Sequence, residues 1–178
     1  SILHDRDGNG EADFYENFNN MSDTSDDPHY YSACLQTDPE GNFYHIDMKG
    51  VHRVSADGKQ YKTLATGWRV PIAMSVGPDG TITVAPQEGG WTPTTMIDEV
   101  KGGGFYGYPN PKNGWEPHLV YVPRLVDNSA GGQVWVENPK WGELDGQLLH
   151  LSYGQSSVVL VLRDRVGDVP QGAVVPLG

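Results

Sequence analysis

Apolar residues come in short runs along most of the chain. They alternate with polar ones and stop at Gly, Pro, Asn or Asp, as in Phe43-Tyr44-His45-Ile46-Asp47, Ile82-Thr83-Val84-Ala85 and Leu148-Leu149-His150-Leu151-Ser152. A two-residue period bounded by turn residues predicts strands. No stretch holds the spacing of an amphipathic helix, and Trp141–Leu151, the nearest approach, is interrupted by glycines. The pattern predicts an all-β chain.

A unit recurs within it. Asp38-Pro39-Glu40-Gly41-Asn42-Phe43-Tyr44-His45-Ile46 reads as turn, glycine, strand. Gly77-Pro78-Asp79-Gly80-Thr81-Ile82-Thr83-Val84 repeats it, and so does Glu143-Leu144-Asp145-Gly146-Gln147-Leu148-Leu149-His150-Leu151. The aligned glycines, Gly41, Gly80 and Gly146, are 39 and 66 residues apart. A period of roughly 40 with about four strands per unit is that of β-propeller blades. Three blades are expected, over about 31–66, 72–122 and 131–177, the second lengthened by Gly102-Gly103-Gly104 and a Pro-rich stretch at 109–117. The first would hold strands at Tyr31–Gln36, Asn42–Asp47, Val51–Ser55 and Gln60–Ala65, and the third at Gln133–Glu137, Gly146–Ser152, Ser157–Arg163 and Ala173–Leu177. Closed rings have about four to eight blades, so 31–178 reads as a partial propeller with two open sheet faces. The remaining blades or a second copy would cover them. A β-sandwich with coincidental repeat spacing is the alternative.

Charge is concentrated at one end. The net charge is −11, and residues 1–50 carry eleven acids against two bases. With no basic stripe, nucleic acid is excluded as a partner. Cys34, the only cysteine, rules out an internal disulfide and reads as a small core residue. No run of 18 apolar residues exists to span a membrane as a helix. With no initial Met and no leader pattern, the chain reads as a processed product or an excised segment.

The acidic end contains a motif. Asp5-Arg6-Asp7-Gly8-Asn9-Gly10-Glu11-Ala12-Asp13-Phe14-Tyr15-Glu16 matches a twelve-residue calcium loop. Oxygen side chains fall at positions 1, 3, 5, 9 and 12 (Asp5, Asp7, Asn9, Asp13 and Glu16). Gly10 makes the sharp turn, and Glu11 offers its carbonyl. Too few residues precede Asp5 for a helix, and Phe14–Phe18 reads as readily as a strand. An EF-hand-like loop without sensor helices is expected, clipping the 1–30 segment to a β body. A polar turn that binds nothing is the alternative. Calcium outside the cytosol would suit such a clip, which points to a periplasmic or secreted protein.

Other chemistry is sparse. His45, His52 and His150 lie on expected strands, with His45 and His150 the weak candidates for a catalytic base and a structural role the alternative. Trp68, Trp91, Trp115, Trp135 and Tyr106 form either a sugar-stacking platform or blade packing. Asp98 and Glu99, adjacent on a strand, must face opposite sides. The absence of Cys-x-x-Cys-His excludes covalent haem in this chain.

Three groups of residues carry a resemblance. They are Thr66-Gly67-Trp68-Arg69-Val70-Pro71 with Val76-Gly77-Pro78-Asp79-Gly80; Gly89-Gly90-Trp91-Thr92-Pro93 with Lys101–Tyr108; and Asp127–Val136 with Gly146–Gly154. Nearly the whole chain resembles the glucose/sorbosone dehydrogenase β-propellers, in particular large bacterial dehydrogenase-like proteins that also carry a c-type haem domain. The resemblance implies export, a pyrroloquinoline quinone (PQQ) cofactor in the complete ring and a cytochrome domain as partner. It places Arg69 on the arginine of a Gly-x-Arg-Asn-Pro segment that grips the quinone, but Val70 replaces the Asn. Arg124 and Lys101 are further cations without a firm match. Two functions follow: a segment of a quinone-dependent sugar or alcohol dehydrogenase, inactive alone, or a non-catalytic calcium-stabilised scaffold for protein or glycan binding.

Overall fold

The computed structural model describes every residue except Thr24, Pro28, His29, Trp91 and Gly178, and all side chains of the rest but that of Asn113. A short hairpin comes first, β1 (Ile2–His4) paired with β2 (Phe14–Glu16) around the acidic loop. Strands, not helices, therefore flank that loop.

Three four-stranded antiparallel sheets follow, each strand pairing with the next. The first is β3 (Ala33–Thr37), β4 (Phe43–Asp47), β5 (Gly50–Val54) and β6 (Tyr61–Ala65). The second is β7 (Pro71–Val76), β8 (Ile82–Pro86), β9 (Met96–Glu99) and β10 (Val120–Tyr121). The third is β11 (Ala130–Trp135), β12 (Leu148–Ser152), β13 (Ser157–Val166) and β14 (Val169–Leu177). Among the described residues, two short 3-10 segments, Pro111–Asn113 and Pro139–Leu144, interrupt the strands. The chain is a partial β-propeller of three blades. β7 packs against β3 on one side and β11 on the other, so the first strand of each blade lies innermost and β6, β10 and β14 lie outermost.

The recurring glycines have one physical cause. Gly41, Gly80 and Gly146 close the turn between the first two strands of each blade, with φ of +81°, +80° and +76°. An L side chain is disfavoured there. β3 starts two residues later than the sequence pattern predicts and ends one later, and its register shifts between Ala33 and Gln36. Cys34 sits in that irregularity at φ +55°, its thiol 2.9 Å from the Ile72 carbonyl.

Alternation along each strand sends one face inward. Ile46 and Val51 of the first blade meet Met74 and Val84 of the second, with Trp68 and Tyr106 closing the layer. Ala73, Ala85 and Ile97 of the second meet Trp135, Leu148 and Val161 of the third. Fully burying such side chains stabilises by roughly 1.5–3 kcal/mol each.

The two terminal faces differ. On the first blade, Phe18, Asn19 and Ser22 lie across the face turned away from the second. Phe18 packs edge-on to Phe43, Asn19 donates to the Gly58 carbonyl at 2.7 Å, and Ser22 lies 3.3 Å from His45. On the third blade, Val134, Leu151, Leu162 and Val175 face outward and are about 40–50% exposed. The sequence pattern predicts both faces open, but the chain's own N-terminal segment covers one of them. Among the described residues, no helix is long and apolar enough to cross a membrane.

Candidate functional site

The ends of the second and third blades bring both candidate cofactor-binding arginines to one carboxylate-bearing segment. Arg69 immediately precedes β7, and Glu88 follows β8. Arg69 Nη1 donates to the Glu88 carbonyl at 2.6 Å. Arg124, from the link between β10 and β11, places its Nε 3.0 Å from Glu88 Oε2. That approach is off the hydrogen-bond direction, and the oxygen has no other partner among the described residues. Gln87 ties the blades together, donating to the Ala130 carbonyl and accepting from the Ser129 hydroxyl, both at 2.8 Å. Gln155 donates to the Arg124 carbonyl at 3.2 Å. Each guanidinium keeps N–H donors facing no protein acceptor among the described residues. The pair could therefore grip a carboxylate-bearing cofactor, with Glu88 as a counter-charge. Lys101 is not part of this group; it bonds Glu116 at 2.9 and 3.1 Å beyond the far end of β9.

Glu88 had no signal in the sequence. Its partners are 19 and 36 positions away, and only the folding of the second blade and its flanking links brings them to it.

The candidate histidines are buried, His150 between the second and third blades and His45 on the outer face of the first, beside Ser22. His150 is fully buried, its Nε2 2.7 Å from Asp127 Oδ2, and its Nδ1 has no partner among the described residues. Burial pushes the Asp127 carboxyl up, but hydrogen bonds from His150, Ser152 and the Ser129 amide outweigh it and hold the group below the usual carboxylate range. His45, 8% exposed, lies with its ring 4.9 Å from that of His52 at a tilt of 31°; burial and that neighbour push its pKa below the usual histidine range. His52 bridges Asp47 at 2.9 Å and Thr63 at 3.0 Å. These contacts fix rings inside blades; neither His45 nor His150 stands on the Arg69–Arg124 surface.

Asp98 and Glu99 diverge as alternation requires. Asp98 accepts from Trp68 Nε1 at 2.7 Å and His118 Nδ1 at 2.6 Å. Glu99 accepts from Arg163 at 2.7 Å and from Arg165, latching the second blade to the third. Trp68 and Trp135 are core residues, whereas Trp115 is about half exposed. Trp91 lies outside the described residues.

The acidic loop is folded by hydrogen bonds among its own residues. The Asp5 carboxylate accepts amides of Gly8 (2.7 Å), Asn9 (3.2 Å) and Gly10 (2.8 Å), and the Gly10 bond chiefly holds its pKa below the usual range. Asp7 accepts from Asn9, Asn9 from the Glu11 amide and Asp13 from the Arg6 amide. The twelfth position is engaged elsewhere, since Glu16 lies 2.8 Å from His4 Nε2 on the hairpin. Among the described residues, no three His, Cys, Asp or Glu side chains converge closely enough to hold a metal.

No protein-family model and no curated protein sequence matches the chain. Solved structures do match its shape. An oxidoreductase described as a glucose dehydrogenase, from Thermus thermophilus, superimposes with a TM-score of 0.61 at 12% identity, over 81% of this chain and 51% of that one. The fold is that of the sugar-dehydrogenase β-propellers. The apo form of the soluble aldose sugar dehydrogenase from Escherichia coli gives a TM-score of 0.58 at 14% identity, over 82% of this chain and 52% of its own. The PQQ-bound aldose sugar dehydrogenase from Streptomyces coelicolor gives 0.59 at 11%, over 80% and 47%. The chain thus spans about half the length of these propellers.

Proposed function

We propose that this chain is a segment of an exported, quinone-dependent sugar or alcohol dehydrogenase, completed by further blades and passing electrons to a c-type haem domain. The observation that carries the reading is the meeting of Arg69 and Arg124 at Glu88, on an open end of two adjacent blades. A PQQ-bound structure among the fold's matches supports it. PQQ, when bound, supplies the hydride acceptor. The residues of this chain would do the holding: Arg69 and Arg124 grip carboxylates, and Gln87 and Gln155 keep both arginines in place. With about half a ring, the segment is inactive alone. The test is PQQ binding to the assembled ring, read by absorbance titration. Arg69→Ala is expected to weaken binding about tenfold or more, the loss of a charge-assisted contact. An assembled ring that takes up no PQQ removes the proposal.

Calcium at the acidic loop is part of the same reading. The amide cradle around Asp5 supports it, and loading requires Glu16 to leave His4 for the loop. Chelator should lower the melting temperature of calcium-loaded protein, and Asp5→Asn should abolish the difference. Identical melts with and without calcium would rule the ion out.

A second reading has its own support. Glu88 offsets one of the two arginine charges, and both candidate histidines are enclosed. A calcium-stiffened scaffold for protein or glycan contact accommodates both facts. It predicts no sugar-dependent dye reduction by the assembled ring with PQQ added.

A further inference from the structure

On the outer rim of the second blade, the segment between β9 and β10 folds over a cavity of about 350 Å³. Met96, Tyr106, Tyr108, Trp115, His118 and Tyr121 form most of its wall. Neither Arg69, Arg124 nor Glu88 lines it, although Tyr108 of its wall and Arg69 flank Gly90 from neighbouring positions.

Three properties define what fits. First, no Asp, Glu, Lys or Arg lines the cavity, so a charged ligand would find no counter-charge there. Second, the wall carries a ring nitrogen whose role its neighbours set, while the Tyr106 hydroxyl is already engaged by Glu99 and Lys101. His118 Nδ1 lies 2.6 Å from Asp98 Oδ1, and the other carboxylate oxygen is held by Trp68 Nε1 at 2.7 Å. The carboxylate accepts, so the proton of the neutral ring sits on Nδ1 and Nε2 is left as an acceptor. Tyr121 packs edge-on against the imidazole, 5.0 Å between centroids, and limits its rotation. A purely apolar ligand would leave that acceptor without a donor. Third, Trp115 and Tyr121 are 52% and 50% exposed, offering large rings at the rim. Flat aromatic faces suit a ring whose own faces are C–H and whose edge carries hydroxyls.

We propose that this cavity binds a neutral pyranose unit of a saccharide, with Trp115 and Tyr121 packing on the sugar face and His118 Nε2 accepting a hydroxyl. It would hold a glycan chain to the rim whether or not the ring is catalytic.

The test is titration of the full 178-residue chain with methyl glucopyranoside and maltotriose, read by tryptophan fluorescence and calorimetry. Tetramethylammonium and cyclohexanol serve as a cation and an apolar solute of similar size. Saturable saccharide binding is expected, stronger than for either control. Trp115→Ala should weaken it about tenfold, the loss of one stacked ring, without moving the melting temperature. Tyr121→Phe should retain binding and Tyr121→Ala should lose it. Failure of both saccharides to bind, binding unchanged in Trp115→Ala, or preference for tetramethylammonium or cyclohexanol would each overturn the proposal.

Discussion

Val70 has φ +40°, a left-handed conformation that a β-branched side chain strongly disfavours. It separates Arg69 from Pro71, and the Arg69 carbonyl accepts the Gln87 amide at 3.1 Å. The backbone is therefore held where the arginine needs it, against the preference of the residue that occupies it. Asn tolerates this region far better than Val. The resembled Gly-x-Arg-Asn-Pro pattern has Asn at this position, so a departure visible in the sequence acquires a conformational meaning. Val70→Asn should stabilise by about 1 kcal/mol through relief of that strain. For a domain of this size that raises the melting temperature by roughly 2–4 °C. Val70 is only partly buried, so little packing opposes the gain. A lower melting temperature would contradict the strain argument. Arg69 was legible as a candidate because its flanking residues form a local motif. Glu88, which faces both arginines, was not, because nothing beside it in the chain marks it.

At the scale of elements, each blade encloses an aspartate–histidine contact: Asp47–His52, Asp98–His118 and Asp127–His150, at 2.9, 2.6 and 2.7 Å. Reading the histidines on their strands as structural or catalytic leaves both roles open; His52 and His150 are buried against carboxylates, and His45 against His52. The sequence could not show these pairs, since the partners of the second and third lie 20 and 23 residues apart. Asp47 and Asp127 have folded pKa values below the unfolded carboxylate range, because hydrogen bonds outweigh burial. Their stabilisation is complete above that range and is lost as pH falls through the folded values. His45, lowered by burial and by His52, acts in the same direction at a higher pH. Folding favours its neutral ring, so stability begins to fall once pH drops below about 6.5, the unfolded histidine value. Denaturant melts across pH should show two acid-side losses, one in the histidine range and one below about pH 4. His45→Gln should flatten the first. Asp127→Asn should flatten part of the second and cost about 3 kcal/mol at neutral pH, because it breaks a buried contact. A flat profile from about pH 7 to 3 would contradict both assignments.

At the scale of the molecule, the blade count was legible because the turn glycines fix a conformation that leaves a mark at each repeat. Gly41, Gly80 and Gly146 have nearly the same φ, and long links at 87–95, 100–119 and 136–145 account for the unequal spacing. The hydrophobic alternation gave the strands. It did not give the covering of the first blade, because Phe18, Asn19 and Ser22 lie in an irregular segment with no period to read. It also gave no sign of which oxygens in the acidic loop would be occupied, since the contact of Glu16 with His4 arises only when the hairpin pairs.

The covered face of the first blade gives the half-wheel a direction. One flank is already upholstered by the chain itself, while the other presents bare Val134, Leu151, Leu162 and Val175. New blades can stack directly only onto the bare flank. For the circle to shut, the last arrival must either seat as a wedge against the strap that carries Phe18, Asn19 and Ser22, or push it aside.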